Sequence, residues 1–276
     1  MRHSAIVNII ATIVISSTIF TCASYPDDIF TYPELEEVFR KEEVEGSFLV
    51  YDEEEDKYKA INYERCLQGF LPASTYKIMH TMIIHDAGVI TEPQSVIKWD
   101  SVSRWKASWN QDLSFMSAFR ESCVPCYQRM ATRVGATRMR NYLDNVRYGN
   151  MVFDSSTVNN FWLEGPSRIT QLEQVEFLRD LYHKELPFSK KAMDMALEFM
   201  IVKSPGEGYT MRAKAGRAMQ DGNDIGWYVG ILSVEGRNYY FALNIEKYGA
   251  GDYFSEQREL IAYKLLQKME ILPGNF

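Results

Sequence analysis

Apolar residues recur along this chain with two different periods, and the change between them divides it. Behind Pro33, which suits the first turn of a helix, Leu35, Val38 and Phe39 fall at helical spacing. Residues 46–51 and 57–61 then read as the arms of a hairpin around the acidic stretch 52–56, taken as a solvated loop. From about residue 75 to 200 the period is helical again, with Ile78, Met82 and Ile83 in one stretch and Val175, Phe177, Leu178 and Leu181 in another. Met193, Met195 and Met200 read as ordinary core. The last quarter changes character: residues 209–214, 225–234 and 238–246 are rich in β-branched and aromatic side chains, and Glu235-Gly236 is a good tight turn between the last two. Residues 225–232 are apolar on both faces, which predicts a central strand covered on either side. A helix from about Ser255, with Leu260, Ile261, Leu265 and Leu266 on one side, supplies one cover. There is no internal repeat and no low-complexity linker. The pattern predicts an α/β fold of the α+β type: an antiparallel sheet built from N- and C-terminal strands, flanked by helices, with an all-helical lobe inserted between them. Clefts form at such lobe boundaries.

The first residues stand apart. Met1-Arg2-His3 precedes an apolar run from Ile6 to Phe20 and the small residues Thr21-Cys22-Ala23-Ser24. The run is shorter than the ~20 residues a spanning helix needs, so residues 1–24 read as a secretory signal peptide and 25–276 as the mature, exported, periplasmic domain. Cys22 sits where a lipoprotein signal places its acylated cysteine, but plain cleavage near Ser24 is preferred. No second apolar run of spanning length follows. The 276 residues carry a net charge of −7, and loss of the signal, whose one charge is Arg2, takes this to −8. An acidic chain of this kind lacks the basic stripe that neutralises phosphates, which excludes nucleic acid as a partner. Of the four cysteines, Cys66 reads as a lone thiol. Cys123-Val124-Pro125-Cys126 resembles a thiol-oxidoreductase motif, but Leu113, Phe115, Met116, Ala118 and Phe119 lead into it with helical rather than strand spacing. The pair is therefore read as two small buried residues on a core helix.

The chemistry begins at Pro72-Ala73-Ser74-Thr75-Tyr76-Lys77. Residues three apart share a helix face, so the Ser74 hydroxyl and the Lys77 amine can meet, and a first helical turn favours a developing anion. Serine needs a base to become a nucleophile, and Lys77 serves only if burial or chemical modification removes its positive charge.

The order of motifs around this pair resembles that of the class D serine β-lactamases, the oxacillinases of the penicillin-binding/transpeptidase-like superfamily, along nearly the whole mature chain. The resemblance rests on Gly46-Ser47-Phe48, Pro72 to Ile78, Asp86-Ala87-Gly88-Val89, Trp109-Asn110-Gln111-Asp112, Ser122-Cys123-Val124-Pro125, Tyr148-Gly149-Asn150, Phe161-Trp162-Leu163-Glu164-Gly165-Pro166, Lys214-Ala215-Gly216, Gly226-Trp227-Tyr228-Val229-Gly230 and Arg258. It implies hydrolysis of penicillin-type β-lactams, conferring resistance, through acylation of Ser74 and then attack by water. Lys77, carboxylated by carbon dioxide to N6-carboxylysine, is the implied base in both steps. Val124, Trp162 and Leu163 correspond to the apolar lid of that lysine, with the Trp162 indole as donor to the carbamate. Ser122 corresponds to the proton relay, Lys214 to the cation on the facing strand, the Ser74 and Arg217 backbone N–H groups to the oxyanion hole, and Gly216 and Arg258 to substrate-carboxylate binding. Ala215 replaces the usual threonine or serine at that substrate-binding position, and Met79-His80 replaces Pro-Asn. No metal and no cofactor other than carbon dioxide or bicarbonate is implied; a monomer and a homodimer are equally compatible. The alternative is a β-lactam sensor or penicillin-binding protein that is acylated but turns over poorly.

Overall fold

The computed structural model describes residues 29–203 and 208–272; the predicted signal peptide lies outside the described residues. The chain enters the sheet with β1 (Ile29–Thr31), passes through a 3-10 turn at Pro33–Glu36 into α1 (Glu37–Lys41), and forms the hairpin β2 (Glu45–Asp52) and β3 (Lys57–Ile61). A helical lobe follows. It holds α2 (Tyr63–Cys66), a 3-10 turn at Ala73–Tyr76 running into α3 (Lys77–Asp86), a small ribbon of β4 (Val96–Ile97) and β5 (Leu113–Ser114), then α4 (Phe115–Arg120), α5 (Val124–Val134), α6 (Ala136–Leu143), α7 (Gln171–His183) and α8 (Lys190–Phe199). Local sequence sets several of these starts: Thr170 and Glu173 form a capping box on α7, and the Ser189 hydroxyl caps α8. The chain then returns to the sheet with β6 (Ile201–Lys203), β7 (Tyr209–Gln220), β8 (Asn223–Val234) and β9 (Arg237–Tyr248), and ends in α9 (Phe254–Lys268). No helix among the described residues is long and apolar enough to cross a membrane.

The seven strands of the main sheet lie in the order β1-β3-β2-β9-β8-β7-β6, so N- and C-terminal strands meet at the β2–β9 seam. All pairings are antiparallel except β1 with β3, a parallel edge that the hydrophobic pattern does not announce. Strand β8 is interior, and its alternation feeds two cores: Ile225, Trp227, Val229 and Ile231 face the helical lobe, while Tyr228, Leu232 and Val234 face α9. Glu235 and Gly236 both have positive φ, 51° and 80°, as a type I′ turn requires.

Four expectations are corrected. First, β7 does not stop at Lys214 but runs on to Gln220, and Asp221-Gly222 makes a second turn with φ of 53° and 83°. The stretch Ala215-Gly216-Arg217-Ala218 has little strand propensity of its own and is held by pairing with the apolar β8. Second, Leu260 is 45% exposed, about 100° around α9 from the buried face of Phe254, Ile261, Leu265 and Leu266. Third, the acidic loop is not simply solvated: Asp52 is fully buried in ion pairs with Lys59 (2.8 Å) and Arg237 (3.0 Å), and Glu53 accepts hydrogen bonds from Tyr240 and Asn238. Fourth, Cys123 and Cys126 are joined by a disulfide rather than packed as two separate thiols. Helices do flank the pair, although Leu113 falls in β5 and Cys123 caps α5 rather than lying within it, and residues three apart at a helix start are close enough to bond. Cys66 is free and buried.

Candidate active site

Ser74 lies in the 3-10 turn that leads into α3. The preceding residue, Ala73, has φ 53°, a left-handed conformation uncommon for a side chain with a Cβ, and its N–H donates to the Trp162 carbonyl at 2.8 Å. The turn is braced from below by Tyr148-Gly149-Asn150. Tyr148 packs on Tyr76, and Gly149, at φ 60°, lets Asn150 pair with Arg168, since a Cβ there would come 2.3 Å from the Arg168 carbonyl.

One helical turn on, the Lys77 amine donates to the Ser74 hydroxyl at 2.8 Å. Lys77 is fully buried, with Nζ 5.2 Å from the centre of the Tyr127 ring and no ion-pair partner among the described residues. Burial disfavours its ammonium, and the nearby Lys214 and Lys106 charges add to this, so its pKa is well below that of an ordinary lysine. Trp162, also fully buried, stacks on Tyr76 with ring centres 5.6 Å apart, and its indole N–H has no hydrogen-bond acceptor among the described residues. An orphaned donor in a dry pocket is costly unless something anionic or polar is meant to meet it. Leu163 follows Trp162 and packs half-buried on the lobe core, and half-buried Val124 opens α5.

Ser122 sits between helices. The N–H of Cys123 donates to the Ala118 carbonyl (2.8 Å) and that of Ser122 to the Phe119 carbonyl (3.0 Å), the crossed pair of a Schellman helix end. Ser122, at φ 50°, therefore occupies the left-handed position normally given to glycine. Its hydroxyl accepts a hydrogen bond from the Lys214 amine. Burial pushes the Lys214 pKa down to about 7, helped by Arg258 and Lys106.

Lys214 belongs to the part of β7 beyond the short pairing with β6, which ends at Arg212, so its outer edge is left for the Ser74 turn. Gly216 permits the approach: a Cβ there would stand 3.2 Å from the Ser74 nitrogen and from the Ala73 Cβ. Arg258 reaches the same strand from α9. It donates to the Gly216 and Ser255 carbonyls, is 8% exposed and has no ion-pair partner among the described residues. Burial, with Arg217 adding to it, lowers its pKa to about 10. Gly226 makes room for it, since a Cβ there would be 2.9 Å from Arg258 Cδ. The Arg217 side chain turns away to Asp224 (2.7 Å), so only its backbone can serve the cleft.

The fold thus brings Ser74, Lys77, Ser122 and Lys214 into two hydrogen-bonded serine–lysine pairs, set against Gly216 and Arg258. Sequence reasoning missed Lys106, held on the Glu121 carbonyl (2.8 Å), and Tyr127, whose hydroxyl meets Thr81 on α3 (2.8 Å). Neither falls in a motif, and only the tertiary fold brings them to the site.

Residues 45–267 match the penicillin binding protein transpeptidase domain family. The β-lactamase OXA-48 of Klebsiella pneumoniae is 34% identical over 238 residues, covering 85% of this chain and 87% of that one. The chain belongs to the class D serine β-lactamases. Its fold agrees with the crystal structure of the class D β-lactamase YbXI from Nostoc, with a TM-score of 0.82 and 36% identity over 86% of this chain and 99% of that one. The C-terminal domain of the Bacillus licheniformis BlaR penicillin-receptor is similar too, with a TM-score of 0.83 and 26% identity over 91% of this chain and 100% of that domain. Two departures of this class D enzyme from the family pattern take on a physical meaning. His80 is fully buried between Tyr76, Tyr127 and Trp162, and burial, with the Lys77 charge, lowers its pKa to about 3, so it is neutral at physiological pH. Ala215 packs part-buried against the α9-side core and offers no hydroxyl.

Proposed function

We propose that this enzyme opens the β-lactam ring of penicillin-type antibiotics by acylation and deacylation of Ser74, and so confers resistance. The observation that carries the reading is the buried Lys77 amine, 2.8 Å from the Ser74 hydroxyl and beside an indole donor without an acceptor. An ammonium there is driven toward neutral amine, the form that adds carbon dioxide, and the resulting carbamate supplies an anionic base in reach of Ser74. The residues present fit it: Trp162 would donate its orphaned N–H, while Val124 and Leu163 keep water away. Ser74 loses its proton toward Lys77 as it attacks. Ser122, hydrogen-bonded to Lys214, passes a proton to the leaving nitrogen. The N–H groups of Ser74 and Arg217 receive the oxyanion, and Arg258, a buried cation lacking an anion, takes the substrate carboxylate together with Gly216. Ala215 leaves that carboxylate one hydroxyl short, at a cost of ~1.5 to 3 kcal/mol in binding for substrates that depend on it. Residues 1–24 direct export to the periplasm, where such substrates are met.

The test is intact-mass spectrometry of the enzyme mixed with a penicillin and bicarbonate, with product followed by absorbance. A transient adduct on Ser74 with many turnovers supports the reading; no adduct, or activity retained in Lys77→Ala, overturns it. Because the carbamate forms from neutral amine and is lost on protonation, activity falls in mildly acidic, carbon-dioxide-free buffer and recovers with bicarbonate. The likeness to the penicillin-receptor domain supports a second reading, a sensor, for which the same experiment shows a lasting adduct and little product.

A further inference from the structure

The disulfide between Cys123 and Cys126 is set into the catalytic machinery rather than into the frame. Cys123 lies between Ser122 and Val124, and Cys126 lies in the first turn of α5. Ser122 is held in a left-handed conformation that is unfavourable for a non-glycine residue and persists only where its surroundings enforce it. Two backbone hydrogen bonds fix it from the α4 side. On the α5 side, the Cys126 N–H donates to Cys123 Sγ (3.3 Å), and the covalent link ties the same two residues.

We propose that the Cys123–Cys126 disulfide is a redox-labile positioning link of the active site, which holds the Ser122 hydroxyl on Lys214 and Val124 over Lys77. The inference rests on the roles given above to Ser122 and Val124. It makes the pair a modification site as well as a brace, because the bond has an approach from outside. Cys126 lines a surface groove of about 500 Å³ together with Arg129 and Arg133, whose charges attract an anionic thiolate. Cys123 is fully buried and Cys126 is 5% exposed and lines the groove, so attack from outside falls on Cys126. A thiolate of a small dithiol attacks Cys126 Sγ, forming a mixed disulfide and breaking the Sγ–Sγ bond. Cys123 leaves as thiolate at the N-cap of the eleven-residue α5, where the helix dipole and the Cys126 N–H favour it, and then takes a proton. The second thiol of the reductant closes on the first, releasing Cys126 as a thiolate that is also protonated. The protein gains two electrons and two protons, and the reductant is oxidised to its cyclic disulfide.

The experiment compares the air-oxidised enzyme, the same enzyme reduced with dithiothreitol, and the variant Cys123→Ala/Cys126→Ala. Alkylation and peptide mapping verify the state of both cysteines. The readouts are kcat and KM for a penicillin, and the bicarbonate concentration giving half-maximal activity. The expected result is a three- to ten-fold fall in kcat and a several-fold rise in the bicarbonate requirement on reduction, with KM little changed and recovery on reoxidation. The double variant should match the reduced enzyme and ignore dithiothreitol. A link that merely stabilises the fold would lower the melting temperature and leave the bicarbonate requirement unmoved, which overturns the proposal, as does alkylation of both cysteines in the oxidised enzyme. Ser122→Ala and Lys77→Ala keep the two readings apart. If both are inactive while the cysteine changes have no effect, the link proposal alone fails; if either keeps full turnover, the catalytic reading has failed.

Discussion

In the proposed mechanism Ser122 gives up backbone comfort for chemistry. A glycine at this helix end would relieve the left-handed strain, so Ser122→Gly should raise stability by about 1 kcal/mol in urea unfolding while kcat collapses. Lys214 makes a similar exchange with charge. Its pKa is near 7 in the fold and near 10.4 in the unfolded chain, so between these values the unfolded state binds the extra proton and stability rises with pH. Below pH 7 the folded protein carries the buried cation at full cost. Lys214→Met removes that slope, and its stability advantage over wild type should therefore be larger at pH 6.5 than at pH 9, as paired urea titrations would show. His80 acts in the same direction at lower pH. With a pKa of about 3 against 6.5 unfolded, it draws stability away as pH falls through that window, and His80→Phe should lose about 2 to 3 kcal/mol less than wild type between pH 6.5 and 4. The serine–lysine spacing was legible in the sequence at this scale, because three residues on a helix have one geometry. The disulfide was not, because the same spacing serves packed thiols equally well.

At the scale of elements, periodicity announces what has a buried face and passes over what is held by a neighbour. The hairpin of β2 and β3, the β8–β9 turn and the terminal helix all follow from spacing. The second half of β7 does not, although it lies against the Ser74 turn, since Gly216 is there to let backbone approach backbone and the small Ala215 and Ala218 give little strand signal. Two glycines separate these roles. At Gly230 a Cβ would lie 2.3 Å from the Arg212 carbonyl, an obstruction made of backbone, and Gly230→Ala should destabilise by about 3 kcal/mol. At Gly216 the nearest atoms are 3.2 Å away, so Gly216→Ala should fold with a melting temperature close to wild type yet lose ten-fold or more in kcat/KM as β7 is pushed off the Ser74 turn. Melting curves and steady-state kinetics on the two variants check both halves.

Taken as a whole, the molecule is acidic, at −7, but gathers Lys106, Lys214 and Arg258 around one cleft. A cationic cleft in an acidic body draws in anionic substrates, and kcat/KM for a penicillin should fall several-fold as salt rises from low to 0.5 M, a range over which the Debye length shrinks below ~5 Å. Lys106→Gln should flatten that dependence, a result read from kinetics at graded ionic strength. Composition gave the sign of the body, but the sign of the cleft needed the fold, because its cations come from three separate stretches of sequence.

The β2–β9 seam carries one more consequence. Phe48 pairs with Leu243 and Tyr51 with Tyr240, so the middle of the sheet is stitched between segments nearly two hundred residues apart. A chain emerging from the ribosome cannot close this seam until its last strands are made, and contacts of such long range form slowly. Until then Ser74 has neither the β7 wall nor Arg258 beside it. Nascent and truncated chains ending before β9 are thus inert and open to proteases, and the active site is among the last features of the molecule to come into being.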